Sequence, residues 1–278
     1  MTLKPPTDTV WIDGDILPYQ IGFATQRTVY ILDQQGETTV SPCFVSRRKA
    51  EVNKYIKVQP DLVTTEIFMA EEPVQALATL KIHLSNIVRG SKCSKFKVIM
   101  SGPTNFRTEL PGTQDYKANR KGTEKPVHHE MLSDWLRSMP YAVITDNEEA
   151  DDLLSRKCIE GHLIATIDKD LDNTHGWHYN FNKGEIYYVD ETTAYRNFYK
   201  QMLTGDRADN IKGIKGIGPA GAAARLDCCS TVEEMERAVW EVYDKTFDYP
   251  LAAMVETGRL LWMRREEGEM WEPQYVDA

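Results

Sequence analysis

Residues 9–12, Thr-Val-Trp-Ile, form a short strand-like run that ends abruptly on Asp13-Gly14-Asp15, and residues 163–167 repeat the figure before Asp168. Residues 63–69 and 96–100 are further apolar runs of strand length, and residues 142–144 a shorter one. Between them the period changes. Residues 73–88 carry Val74, Leu77, Ala78, Leu84 and Ile87 at helical spacing, with Pro73 suited to a first turn. Residues 46–57, 128–137 and 147–160 read as further helices. The β-α-β alternation predicts an α/β fold with a mostly parallel sheet covered by helices. That core spans residues 1–190, and residues 191–278 form a helical part with a glycine-rich interruption at 213–221. Residues 103–127 are polar, basic and broken by glycine and proline. A structureless insertion of that length predicts a functional loop or arch, reaching to about residue 140 with its helical end.

The acids sit where such a sheet binds ligands. Asp13 and Asp15 follow one strand, Asp168 and Asp170 another. Glu149, Asp151 and Asp152 open a helix, and Asp206 and Asp209 stand three apart beside a glycine. In an open parallel sheet the crevice lies beyond the carboxyl ends of the strands. Singly, each group has a plainer reading, as a helix N-terminus or a turn. Jointly they predict a pocket whose like charges need counter-cations, and hard oxygen ligands select two magnesium or manganese ions.

Composition alters this picture in one respect. Thirty-three Lys and Arg against 42 Asp and Glu give a net charge of −9, which argues at first against nucleic acid. A metal pocket that gathers the acids removes the objection, because bound cations reverse the local field. Five cysteines without a C-x-x-C pair fit reduced thiols. The lack of a long apolar run or signal-like start predicts a cytoplasmic protein with no membrane partner.

Gly216-Ile217-Gly218-Pro219-Ala220-Gly221 matches the dinucleotide fingerprint, but Asp206–Lys212 ahead of it is not a strand within a βαβ unit. The segment reads better as a hairpin between helices. There Gly213, Gly216 and Gly218 admit a DNA phosphate, and Lys212 and Lys215 add attraction. Tyr116-Lys117-Ala118-Asn119-Arg120-Lys121 combines an aromatic, an amide and three cations, suited to stacking on bases and contacting phosphates. His128-His129 and His175-x-x-His178 lack further ligands at metal spacing and read as surface histidines.

Ile12-Asp13-Gly14, Tyr116-Lys117-Ala118-Asn119-Arg120, Glu149-Ala150-Asp151-Asp152, Thr166-Ile167-Asp168-Lys169-Asp170 and Gly205-Asp206-Arg207-Ala208-Asp209-Asn210-Ile211, in this order, resemble the flap endonuclease/5′-exonuclease superfamily, particularly the short exonucleases of tailed phages. The likeness covers about residues 10–226. It implies a PIN-like nuclease core with a helical arch and a helix–three-turn–helix element at about 205–226, followed by a C-terminal extension. It also implies two-metal cleavage of DNA at a 5′ end or flap, by a monomer in the cytoplasm of a phage-infected cell. RNA–DNA hybrids are left open. By that resemblance Asp13, Glu149 and Asp151 hold one ion, and Asp152, Asp168, Asp170, Asp206 and Asp209 the other. Lys117 and Arg120 act on the scissile phosphate, Tyr116 stacks, and potassium joins the hairpin. One departure stands out: Ser101-Gly102-Pro103 replaces an expected aspartate, for which Asp15 is a substitute. Two rivals remain, a haloacid-dehalogenase-like phosphatase built on Asp13-Gly14-Asp15, and a DNA-binding protein without cleavage.

Overall fold

The computed structural model describes residues 7–34, 44–46, 49–58, 62–120 and 122–276. Cys43 and Lys121 lie outside them. The chain divides into two compact units, one made of Met1–Asp15, Ser85–Glu124 and Arg137–Ala278, the other of Ile16–Leu84 and Lys125–Leu136.

Strand β1 (Thr9–Asp13) begins the first unit. The second unit then supplies α1 (Ile16–Ala24), β2 (Gln26–Gln34), β3 (Phe44–Ser46), α2 (Lys49–Val58), β4 (Leu62–Ala70) and most of α3 (Pro73–Ser91). The first unit resumes with β5 (Lys95–Met100). After α4 (His129–Arg137) come β6 (Ala142–Ile144), α5 (Ala150–Ile159), β7 (Leu163–Thr166), β8 (Gly176–Asn180) and β9 (Glu185–Val189). Helices α6 (Glu191–Thr204), α7 (Pro219–Leu226), α8 (Val232–Thr246) and α9 (Pro250–Leu261) follow, with the two-residue strands β10 (Gly205–Asp206) and β11 (Ile211–Lys212) between α6 and α7.

The main sheet runs β6-β5-β1-β7-β8-β9, parallel except for the β8–β9 hairpin. Its central strands are apolar on both faces because both are covered: Val10, Ile12, Val98, Ile99, Leu163 and Ile164 are fully buried. Strand β1 is the point from which the chain leaves to β5 on one side and β7 on the other. Such a switch point opens a crevice at the strands' carboxyl ends.

The C-terminal helices build a second core around Phe198, Tyr199, Met202, Val239, Tyr243 and Trp262. They share a compact unit with the sheet, so the expected division near residue 190 does not separate compact bodies. Asp190 caps α6 by accepting from Thr193 N at 2.9 Å, and Thr231 with Glu234 forms a capping box on α8. The C-terminal extension folds back on this core. Trp271 lies so close to Gly258 that a Cβ there would fall 2.0 Å from its ring, and Glu236 accepts from the backbones of Gln274 and Tyr275 at 2.7 and 2.6 Å.

In the second unit, β3-β2-β4 is a separate antiparallel sheet, with β2 and β4 paired from Gln26↔Ala70 to Gln34↔Leu62. Only β4 of its three strands is predicted from the sequence. The helix expected from residue 46 starts at Lys49, since Ser46 ends β3. Pro126 packs on Gly22, and His128 is buried with its Nε2 at 2.6 Å from Glu71 O. His128 is therefore an internal histidine. In the first unit His178 is fully buried too, its Nε2 at 3.0 Å from Thr174 O, because β8 carries it into the interior.

Candidate metal centre

The acids expected at the strand ends do converge. Asp13 closes β1 at 4% exposure, and its Oδ2 accepts from the hydroxyl of Thr166, the last residue of β7, at 2.9 Å. The same hydroxyl accepts from Asp168 N at 3.0 Å, so one buried threonine fixes acids of both strands. Asp168 Oδ1 in turn accepts from Asp170 N at 2.9 Å, the local turn that short acidic side chains favour. Glu149 is the N-cap of α5 and Asp151 lies in its first turn.

Electrostatics join these acids into one cluster. Burial raises the Asp151 carboxyl well above its ordinary value, and Asp13, Asp168 and Glu149 push it further. Burial also pushes Asp170 up to about 7, with Asp168 and Asp206 adding to it. Glu149 and Asp209 share the hydroxyl of Tyr116, which donates to them at 2.8 and 3.1 Å. Negative charge is concentrated here beyond what the fold tolerates without cations.

The cations come from the segment predicted as an arch. Lys117 pairs with Glu149 and lies 3.6 Å from Asp209, while Arg120 pairs with Asp209. This segment is pinned by its backbone and amides. Lys117 N donates to Asp209 O at 2.8 Å, Asn119 Nδ2 to Arg207 O at 2.7 Å, and Asn210 Nδ2 to Asp115 O at 2.8 Å. Upstream, Glu256 of α9 accepts from the backbone N–H groups of Thr113 and Gln114 at 2.6 and 2.8 Å. Gln114 Oε1 accepts from Lys212 N at 2.7 Å. Nothing in the periodicity around Glu256 signals that contact. Tyr116 packs against the helical core with its hydroxyl on the acids, which orients carboxylates and leaves its ring unsuited to the stacking expected of it.

Asp152 departs from the ligand set expected for it. It is fully buried, and its two oxygens accept from Arg107 Nη1 and Nη2 at 2.7 and 2.8 Å and from the backbones of Glu149 and Arg264, both at 3.0 Å. Four donors saturate it. Arg107 holds its carboxyl below the ordinary range despite burial. Arg107 also donates to the carbonyls of Leu260 and Trp262 at 3.0 and 2.5 Å, so it is a buried brace.

Gly102 has its own steric reason. A Cβ there would lie 2.1 Å from Thr145 O, a backbone atom that cannot swing away. An aspartate has no room at this position. Nearby, Asp15 accepts from Ser101 N with both oxygens at 3.1 Å. We expect Gly102→Ala to cost about 2 kcal/mol, measured by urea unfolding without metal. Wild-type stability would contradict the crowding.

In the glycine-rich connection only some glycines face outward. Gly213 is closed in, since a Cβ would meet Thr204 C at 2.1 Å, so it serves packing of the chain on itself and not phosphate approach. Gly216, at φ +86°, and Gly218, the N-cap of α7, have nothing within 4 Å of a Cβ. Lys212 and Lys215 are exposed.

Among the described residues, no three His, Cys, Asp or Glu side chains are arranged as they stand to hold a metal ion. Glu149 and Asp209 are engaged by Lys117 and Arg120 instead. The donor set still fits hard divalent cations: all-oxygen, several carboxylates deep, with burial first and neighbouring carboxylates second raising Asp151 and Asp170. Zinc and copper sites more often include His or Cys.

No protein-family model matches the sequence. Among solved structures, the chain resembles the bacteriophage T5 D15 protein co-crystallised with metal ions, at 14% identity over 90% of this chain and 88% of that one, with a TM-score of 0.52. It also matches the T5 D15 flap endonuclease in a pseudo-enzyme–product complex with DNA and metal ions, at 14% identity, 91% and 94% coverage and a TM-score of 0.46. A T5 5′-exonuclease with bound zinc matches at 15%, 91% and 95%, and 0.47. Of these three superpositions the first alone is close enough to establish a shared fold. That fold is the PIN-like α/β arrangement predicted from the motifs.

Proposed function

We propose that the chain is a divalent-metal-dependent 5′-nuclease of the flap endonuclease/5′-exonuclease superfamily, hydrolysing phosphodiester bonds of DNA at or near a 5′ end. The observation that carries this reading is the gathering of Asp13, Asp168 and Asp170 beyond the sheet strands with Glu149 and Asp151 of α5 and Asp206 and Asp209 after α6, with Lys117 and Arg120 laid directly on Glu149 and Asp209. A solved protein of the same fold was co-crystallised with metal ions, which supports such a site here. Asp15 bound to Ser101 N speaks against its acting as the second acid of a phosphatase motif.

Magnesium or manganese ions would be held by Asp13, Glu149 and Asp151 at one position and by Asp168, Asp170, Asp206 and Asp209 at a second. Bound there, such ions neutralise the charge that builds on phosphate oxygens during in-line displacement. Thr166 and the Asp168–Asp170 turn hold these acids in fixed positions. Lys117 and Arg120 would be available to the scissile phosphate were Glu149 and Asp209 to hold ions, and their positive charge would act where negative charge develops. Gly216 and Gly218 offer backbone to a duplex phosphate, with Lys212 and Lys215 adding charge. Potassium at this connection, cleavage of RNA–DNA hybrids, a monomeric state and a cytoplasmic location rest on the resemblance alone. Among the described residues no helix is long and apolar enough to cross a membrane.

Incubation of 5′-labelled and 3′-labelled duplex with magnesium, with and without chelator, tests the reading. Release of short 5′-labelled products only with free magnesium supports it, and inert DNA refutes it. Lys117→Ala should lower turnover on the order of a hundred-fold with little change in affinity. Gly218→Val should do the reverse. Its φ of −96° and ψ of −178° suit valine, so the variant folds, but the branched side chain blocks phosphate approach. Single-turnover rates and anisotropy titrations separate the two effects, and exchanged outcomes would reverse the assignment.

A further inference from the structure

A groove of about 760 Å³ adjoins the glycine-rich connection, and Lys215, Arg225, Arg237 and Lys245 line it together with apolar side chains such as Ile217 and Val242. Its charged lining is these four cations against two carboxylates, Glu234 and Glu241, a net of +2 in a chain whose net is −9. Glu234 is already committed, since its Oε2 accepts from the backbones of Ser230 and Thr231 at 2.5 and 3.2 Å. The opposing charge left in the groove is therefore Glu241.

Arg237, Glu241 and Lys245 recur every fourth residue on α8 and so share one face, about 12 Å long. Arg237 and Lys245 keep 63% and 75% of their side chains exposed. Their partners are Glu233 at 3.0 Å and Glu241 at 3.6 Å, both one turn earlier. Exposed pairs of this kind bind weakly and give way to a stronger anion. Ile214, Gly216 and Ile217 also line the neighbouring 470 Å³ depression of the connection, so the two concavities are continuous at the open glycine.

We propose that α8 forms a second phosphate-contacting wall. The groove holds one strand of duplex DNA, with Arg237 and Lys245 on its phosphates and the backbone at Gly216 on the same strand. A 12 Å face spans about three phosphates of one strand at 3.4 Å of axis each. The inference rests on the nuclease reading and extends its substrate contact to a helix that no recognised motif includes.

The test measures binding of a labelled blunt duplex two helical turns long, in chelator, across a salt titration. Arg237→Ala with Lys245→Ala should reduce the slope of log affinity against log salt by roughly 2, as the loss of two phosphate contacts requires. Glu241→Lys should tighten binding several-fold, a gain that misfolding cannot produce. A wild-type slope in the double variant, or unchanged affinity in Glu241→Lys, overturns the proposal and leaves the nuclease reading standing. Failure of the wild-type protein to bind duplex at all overturns both.

Discussion

Alanine at both Asp168 and Asp170 is expected to reduce cleavage on the order of a thousand-fold or more, while duplex affinity stays near that of the wild type. The two side chains belong to the acid cluster and not to the glycine-rich connection or the α8 groove, so DNA binding does not depend on them. The same change should stabilise the metal-free protein. Burial and the neighbours Asp168 and Asp206 push Asp170 from its ordinary 3.8 up to about 7. The native state thus holds this proton more tightly than the unfolded chain does. Stability of the metal-free protein must then fall as pH rises from about 4 to 7, with the full cost present above that range. Asp170→Asn removes this ionisation cost, so its melting temperature in chelator should exceed the wild type's at pH 8 and approach it at pH 4. Magnesium should raise the wild-type melting temperature and leave the double alanine variant almost unmoved. Wild-type turnover in the double variant would remove the metal site from the argument.

Arg107→Met is expected to be the most destabilising single change near the site. Arg107 is 4% exposed and Asp152 fully buried, and losing the guanidinium strands a buried carboxylate along with the carbonyls of Leu260 and Trp262. Breaking such a pair costs about 3–5 kcal/mol, which for a chain of this size lowers the midpoint by roughly 10 °C. The combination with Asp152→Leu should recover much of the loss, because the stranded charge goes with it. Calorimetry in chelator measures both. A single variant that melts with the wild type would show that the pair contributes little, and a double variant worse than the single would show that the backbone donors of Glu149 and Arg264, stranded by leucine, outweigh the charge removed. The shared position of Arg107 and the sheet also explains why the C-terminal helices are not an independent body. Its guanidinium ties Asp152 of α5 to carbonyls at the end of α9.

Local order along the chain is enough to determine the strands β1, β4, β5, β6 and β7, the helices α2, α3, α4 and α5 though not α1, and the placing of acids at strand ends. These depend on period, turn chemistry and the rule that parallel sheets bind ligands at one edge. The motif order likewise determines the fold class, and with it the candidate ligands Asp13, Glu149, Asp151, Asp168 and Asp170. Other features arise only when distant segments meet. The antiparallel sheet of β2, β3 and β4 depends on pairing across long separations, which no local period encodes. Asp152 and Asp151 are adjacent in sequence and look alike, yet a helix turns successive side chains by about 100°. One therefore faces the acid cluster and the other Arg107. Gly213, Gly216 and Gly218 share a motif, yet Thr204 closes in the first and leaves the other two open. Tyr116 reads as a stacking residue by composition, until folding places Glu149 and Asp209 at its hydroxyl. Residue type and spacing therefore determine which groups are available for chemistry, while the role of each is decided by what lies within a few ångströms, and that is set by long-range packing.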